Sequence, residues 1–207
     1  MKKITITQIS EKKIKAGNPL LQMEDFPNEL SFDEGELVEL VDSRQKFVAK
    51  AYLAKQNKGV GWVFSLDNAD SFNEAFFKKQ FEKAKRKRTD LQSDPETTTY
   101  RLFNAEGDGI PGVTIDHYDG FAVVSWYSEG IFRYQTAIIA AFQAVFPETK
   151  GIYEKFRYQR KDGLISRYVR GDAAPTPLIV KENGINYATY LDDGLMTGIF
   201  LDQRDVR

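Results

Sequence analysis

The chain has 207 residues, 42% of them hydrophobic and 13% aromatic, with a formal net charge of −1. That length suits one large or two small domains with real cores, and the charge alone argues against a nucleic-acid protein. No run approaches the roughly 18 apolar residues of a membrane span, and the start, MKKITITQ, lacks the apolar core of a signal peptide. The absence of cysteine excludes disulfides and thiolate chemistry and fits a cytoplasmic protein.

The distribution of charge softens the first exclusion. Residues 24–42 hold eight acids and no base, whereas residues 78–88 hold seven bases and one acid, Glu82. Faces of opposite sign leave a basic footprint on a chain that is neutral overall.

In chain order, Ile4 and Ile6 alternate with Thr5 and Thr7 as a first strand. Ser10 caps a short helical turn through Lys13, ended near Gly17 and Pro19. Residues 36–41, 47–53 and 60–64 are apolar runs separated by polar turns, a spacing that predicts a small β-barrel. Ser71 and Glu74 form a capping-box pattern. Phe72, Phe76, Phe77, Phe81 and Ala84 then recur at helical spacing, with the helix running to about Arg88. Residues 89–98 are polar, contain Pro95, and read as a linker. Strands are expected over 100–105, 113–118 and 121–127, the last two joined by an Asp119-Gly120 turn. A helix is expected over 131–146, stopped by Pro147, and strands over 151–156 and 164–169. A final hairpin, 178–182 and 185–191, turns at Asn183-Gly184.

Several motifs allow two readings. Gly107–Gly112 matches G-x-G-x-x-G, but a strand follows where the dinucleotide fingerprint needs a helix, and Pro111 removes an N–H from the loop. A turn is expected there, with a nucleotide-dependent enzyme as the rival. Lys85, Arg86, Lys87 and Arg88 are either phosphate contacts or a solvated helix end that complements the dipole. Lys155, Arg157, Arg160 and Lys161 are interleaved with Tyr153, Phe156 and Tyr158. This suits RNA, where cations hold phosphates and aromatics stack on bases, and equally an edge strand with charged gatekeepers. His117 is the only histidine. Asp116 points to the opposite face of the same strand, so the two form no dyad, and no metal site is expected.

The last stretch, GLMTGIFLDQRDVR at 194–207, combines two glycines, an apolar run and then Asp202, Gln203 and Arg204. That layout suits the rim of a polar ligand pocket. It resembles the "GxKTGFFLDQR" stretch that opens the catalytic domain of the ribosomal-RNA large-subunit cytosine-5 methyltransferases. YRLFNAEGDGIPGVTIDHY at 100–118 is similar to that family's "RLVNAEGDGLPGLIVDRY". Leu195, Met196 and Ile199 depart from the family's pattern. The resemblance covers the whole chain but only the front half of such an enzyme.

The resemblance implies an α+β chain. A PUA-like RNA-binding barrel would span 1–70, a helix and linker 71–98, a central strand-strand-helix-strand-strand domain 99–192, and the start of a Rossmann-like methyltransferase domain 193–207. It also implies S-adenosylmethionine (SAM) as cofactor, with Thr197, Phe200, Asp202, Gln203 and Arg204 as candidate contacts, and ribosomal RNA as partner. Cytosine-5 chemistry uses a cysteine nucleophile, and SAM binding uses a glycine-rich turn after a strand; neither occurs here. The chain is therefore expected to be a truncated one, inactive alone and carrying the RNA-recognition half. A free-standing RNA-binding module is the alternative. Exposed sheet edges leave a homodimer open.

Overall fold

The computed structural model describes residues 1–57 and 59–206, apart from the side chain of Asp205. β1 (Lys2–Thr5), α1 (Gln8–Lys15), β2 (Leu20–Leu21), β3 (Leu37–Val41), β4 (Phe47–Gln56) and β5 (Gly59–Ser65) build the first sheet, in the order β1-β3-β4-β5-β2. β1 runs parallel to β3 and the other pairs are antiparallel. The two end strands do not pair with each other. Instead, the buried Asp25 joins the two ends. Its carbonyl accepts from the Thr7 N–H at 3.0 Å, and its carboxylate takes Ser10 Oγ at 2.7 Å and Lys13 Nζ at 3.0 Å. Burial acts against that carboxylate, but these bonds and the Gln22 N–H hold it below its usual range. Beneath lie Ile6, Ile14, Leu21, Phe26, Val38, Leu40 and Leu53. The cap of α1 is Thr7 rather than Ser10: the Thr7 hydroxyl accepts the Ser10 N–H, which frees the Ser10 hydroxyl for Asp25.

α2 (Glu74–Lys87) is capped by Asn73, whose Oδ1 accepts the Phe76 N–H at 3.1 Å. The expected Ser71–Glu74 box does not form. Residues 89–98 are more than a bare tether. Thr89–Ser93 forms α3, and Thr97 is buried.

The second sheet is built from β6 (Thr99–Asn104), β7 (Val113–Tyr118), β8 (Phe121–Trp126), β9 (Gly151–Phe156) and β10 (Ser166–Gly171), in the order β10-β9-β8-β7-β6. α4 (Ala105–Asp108) lies between β6 and β7; α5 (Glu129–Phe132) and α6 (Gln135–Val145) lie between β8 and β9. Three strands precede α5 and α6, where the resemblance implied two. β8 and β9 are parallel, which is why a helical crossover must join them. The single helix expected over 131–146 is broken at Arg133–Tyr134, where the Tyr134 hydroxyl donates to the Gly35 carbonyl at 2.6 Å. α5 presses on β4 at Gly130: a Cβ there would meet Ala54 Cβ at 2.4 Å. One core therefore runs from Tyr52, Trp62 and Phe64 through Phe72, Phe77 and Phe81 to Phe103, Trp126 and Phe142.

β11 (Leu178–Glu182) and β12 (Ile185–Thr189) form the expected hairpin, with Asn183 and Gly184 at φ 52° and 79°. Its Leu178 and Val180 cover part of the second sheet's other face, together with Leu191 and Ile199. Among its described residues the last stretch carries no strand, and Leu201–Val206 forms a 3-10 turn.

Candidate nucleic-acid interface and pocket rim

Strand alternation sorts the second sheet into two faces. Ile115, Val124 and Ile152 face the helices. Asp116, Tyr118, Val123, Ser125 and Lys155 face the other way, where only half the surface is covered. The uncovered half is polar. Arg101 and Asp116 are register partners on β6 and β7 and form an ion pair, with Arg101 Nη2 3.3 Å from Asp116 Oδ2. Arg101 Nη1 also donates to Asn104 Oδ1 at 3.2 Å. Burial pushes the Asp116 carboxyl above its usual range, against the pull of Arg101.

Arg101, Asp116, Lys155 and Arg157 wall a cavity of about 120 Å3. Tyr118, Val123 and Ser125 also line it, and the last stretch closes it, from Met196 through Thr197, Ile199, Phe200 and Leu201 to Asp202. Tyr118 and Thr197 share a hydroxyl–hydroxyl bond of 2.8 Å at its base. The stretches 100–118 and 194–207, far apart in sequence, thus meet at one cavity.

Among the predicted rim residues, Thr197 is buried in that bond, while Phe200 and Asp202 are exposed at the edge of the cavity. Gln203 is exposed and lies in the 3-10 turn, its N–H donating to the Phe200 carbonyl. Arg204 does not line the cavity. Its guanidinium donates to Asn183 Oδ1 at 2.9 Å and to Thr97 Oγ1 at 3.4 Å, pinning the chain end to the hairpin turn.

The basic helix end is mostly engaged within the protein. Lys85 Nζ donates to the Val145 carbonyl at 2.9 Å and lies over the Phe146 ring. Lys87 and Arg88 both bind Asp108, at 2.9 and 2.6 Å. Arg86 is exposed, and its guanidinium carries no hydrogen bond or ion pair among the described residues.

The second basic stretch also divides. Lys155 is sealed from solvent; its Nζ donates to the Gly194 carbonyl at 2.6 Å. Burial, with Arg157 adding to it, brings its pKa down to about 8. Arg160 grips Asp162 through two hydrogen bonds and stacks over Phe156. Arg157 and Lys161 are exposed. The two stretches are therefore not one continuous cationic strip.

Gly107–Gly112 forms a turn rather than a phosphate cradle: α4 ends at Gly109 in the left-handed region and β7 follows. His117 stacks on Tyr100 at 4.9 Å and accepts the Gly120 N–H at 3.2 Å. Burial lowers its pKa to about 4, so it is a neutral turn acceptor at pH 7.

Arg101 and Ser125 escaped the sequence reading, and Asp116 entered it only as a residue that forms no dyad with His117. The available signal was a charged residue placed at a period-2 position inside an apolar run, once on β6 and once on β7.

Residues 4–66 match the family model described as a PUA-like domain. Over its whole length the chain is 41% identical to YwbD of Bacillus subtilis, a candidate ribosomal RNA large subunit methyltransferase, of which it covers 53%. It is 33% identical, over 84% of its length, to ribosomal RNA large subunit methyltransferase I of Cronobacter sakazakii, covering 44% of that protein. A solved structure of a candidate SAM-dependent methyltransferase from Streptococcus mutans is 44% identical and superposes with a TM-score of 0.92; all of this chain and 53% of that one are covered. A second solved structure, of a candidate methyltransferase complexed with SAH, gives the same identity and score, with 52% of that chain covered. The chain spans about half the length of the curated relatives it matches.

Proposed function

We propose that this chain is the RNA-recognition part of a SAM-dependent methyltransferase acting on cytosine carbon 5 in large-subunit ribosomal RNA. The single observation that supports this most is the meeting of residues 100–118 and 194–207 at one polar cavity, joined by Tyr118 and Thr197. These are the two stretches on which the family resemblance rests. The likeness to methyltransferases covers the chain end to end.

In this reading the first sheet is the PUA-like RNA-binding unit, and the polar half of the second sheet lies along the RNA. Arg157, Lys161 and Arg86 contact phosphates. Lys85, Lys87, Arg88 and Arg160 hold the scaffold, and Lys155 holds the last stretch against the sheet. Thr197, Phe200, Asp202 and Gln203 form the near rim of the SAM pocket. Arg204 joins that rim only if it leaves Asn183. When bound, SAM supplies the methyl group, and a residue outside this chain supplies the nucleophile that cytosine-5 chemistry needs.

The test is methyl transfer from radiolabelled SAM to large-subunit ribosomal RNA, followed by nucleoside analysis. A polypeptide of the relatives' length should produce 5-methylcytidine, and the 207-residue chain should produce none. Incorporation by the 207-residue chain alone overturns the division of labour. A methyl group on another atom overturns the cytosine-5 assignment.

A further inference from the structure

A second cavity, of about 260 Å3, opens beside the first. It lies between the end of β4 and the turn joining β6 to β7. Its walls include Arg101, Asn104, Glu106, Thr114 and Tyr127. Arg101 borders both cavities.

Three features mark it as built rather than incidental. The turn that forms its wall holds one strained residue, the non-glycine Ala105 at φ 39°. Such an angle persists where the surroundings over-determine it. Here Asp108 does so, receiving Arg88, Lys87 and the Asn104 N–H together, and the Tyr52 hydroxyl fixes the Pro111 carbonyl at 3.0 Å. Thr114 is 4% exposed, and its hydroxyl is the one buried side-chain hydroxyl among the described residues without a hydrogen-bond partner. A buried polar group left unpaired is costly, and a ligand edge or a bound water that reaches it relieves that cost. Finally, the half-exposed Tyr127 gives the cleft an aromatic wall, and the exposed Asn104 keeps its amide NH2 available.

We infer that this cleft takes one unpaired nucleobase of the RNA, next to the reacting nucleotide rather than the reacting one itself. The inference rests on the RNA reading above. The volume lies below the roughly 300–1,000 Å3 of typical small-molecule pockets, so one base fits where a paired helix does not. Unpaired bases are held by stacking on aromatic rings and by hydrogen bonds to their edges. Tyr127 provides the first; Asn104 and Thr114 provide the second. The shared wall at Arg101 leads the neighbouring phosphates toward Arg157. With no cysteine in the chain, the cleft supplies no nucleophile for cytosine-5 chemistry, and its part is recognition.

The test compares two fluorescent probes by anisotropy: an eight-nucleotide oligouridylate and a ribose-phosphate oligomer of equal length without bases. The whole chain should bind the oligouridylate at least about five-fold more tightly, as stacking of one base implies. Tyr127→Ala and Thr114→Val should each remove about five-fold from oligouridylate affinity and nothing from the abasic probe. Thr114→Ser should keep wild-type affinity, and Thr114→Val should melt no lower than wild type, since it deletes an unpaired polar atom. Binding of oligouridylate that none of these variants weakens overturns the base site and leaves the RNA reading standing. No binding of either probe overturns both.

Discussion

Lys155 and Gly194 are joined by a 2.6 Å hydrogen bond from a sealed ammonium on β9 to a backbone carbonyl of the last stretch. This bond ties the central sheet to the pocket rim. A buried ammonium disfavours its own charged form, and here the pKa falls to about 8 from an ordinary 10.5. The unfolded chain therefore binds more protons than the folded one between those two values. Stability contributed at this position should rise as pH climbs from about 8 toward 10. The expected outcome is that the melting temperature of wild type, relative to Lys155→Met, increases over that window. The check is paired thermal denaturation from pH 7 to 10; a flat difference curve contradicts it.

Asp108 locks α2 to the turn after β6 through Arg88 and Lys87. Burial opposes its charge, but the bonds from Arg88, Lys87 and the Asn104 N–H outweigh that and keep its pKa below the usual range. Asp108→Asn leaves the largely buried guanidinium of Arg88 with its bonds to the Arg101 and Ala84 carbonyls but without its counter-charge. Losing one partner of such a pair costs about 3–5 kcal/mol, read as a lowered urea midpoint with unchanged slope. The depressed pKa gives the sign with pH. The clamp is complete above the ordinary carboxylate range and is lost as pH falls through the folded-state value, so wild type loses its advantage over Asp108→Asn in acid.

Arg204 stands on Asn183 and Thr97 in this structure. Arg204→Ala should lower stability by about 1 kcal/mol, the net worth of such hydrogen bonds, and loosen the segment after Phe200. Urea denaturation with hydrogen exchange at residues 199–204 checks this. Unchanged stability and exchange would release Arg204 for a role toward SAM.

The hairpin turns were readable because Asp119-Gly120 and Asn183-Gly184 need a left-handed backbone, which only a few residue types tolerate. The aromatic spacing from Phe72 to Phe81 likewise revealed α2. The caps were not readable. Thr7 and Ser10, or Ser71 and Asn73, are equally able oxygen acceptors, and the choice between them is settled by tertiary partners such as Asp25. The Arg101–Asp116 pair was hidden for a different reason. It depends on the β6–β7 register, which slips between Arg101 and Phe103, and no count along the chain reveals a slip. Lys155 read as a surface cation because its flanking charges did. It is sealed because the Gly194 stretch, 39 residues later, folds over it.

In the proposed reading the two basic stretches meet RNA through Arg86, Arg157 and Lys161, because Lys85, Lys87, Arg88, Lys155 and Arg160 are already engaged within the protein. The most direct measurement is binding to a single-stranded segment of large-subunit ribosomal RNA, titrated across salt, for wild type and Arg86→Ala. Three exposed cations, Arg86, Arg157 and Lys161, at about 0.7 per phosphate contact, predict a log–log salt slope of about −2. Arg86→Ala should weaken binding and shrink the slope by about 0.7, with its melting temperature unchanged. Binding that ignores salt, or an Arg86→Ala variant with wild-type affinity and slope, would contradict the account.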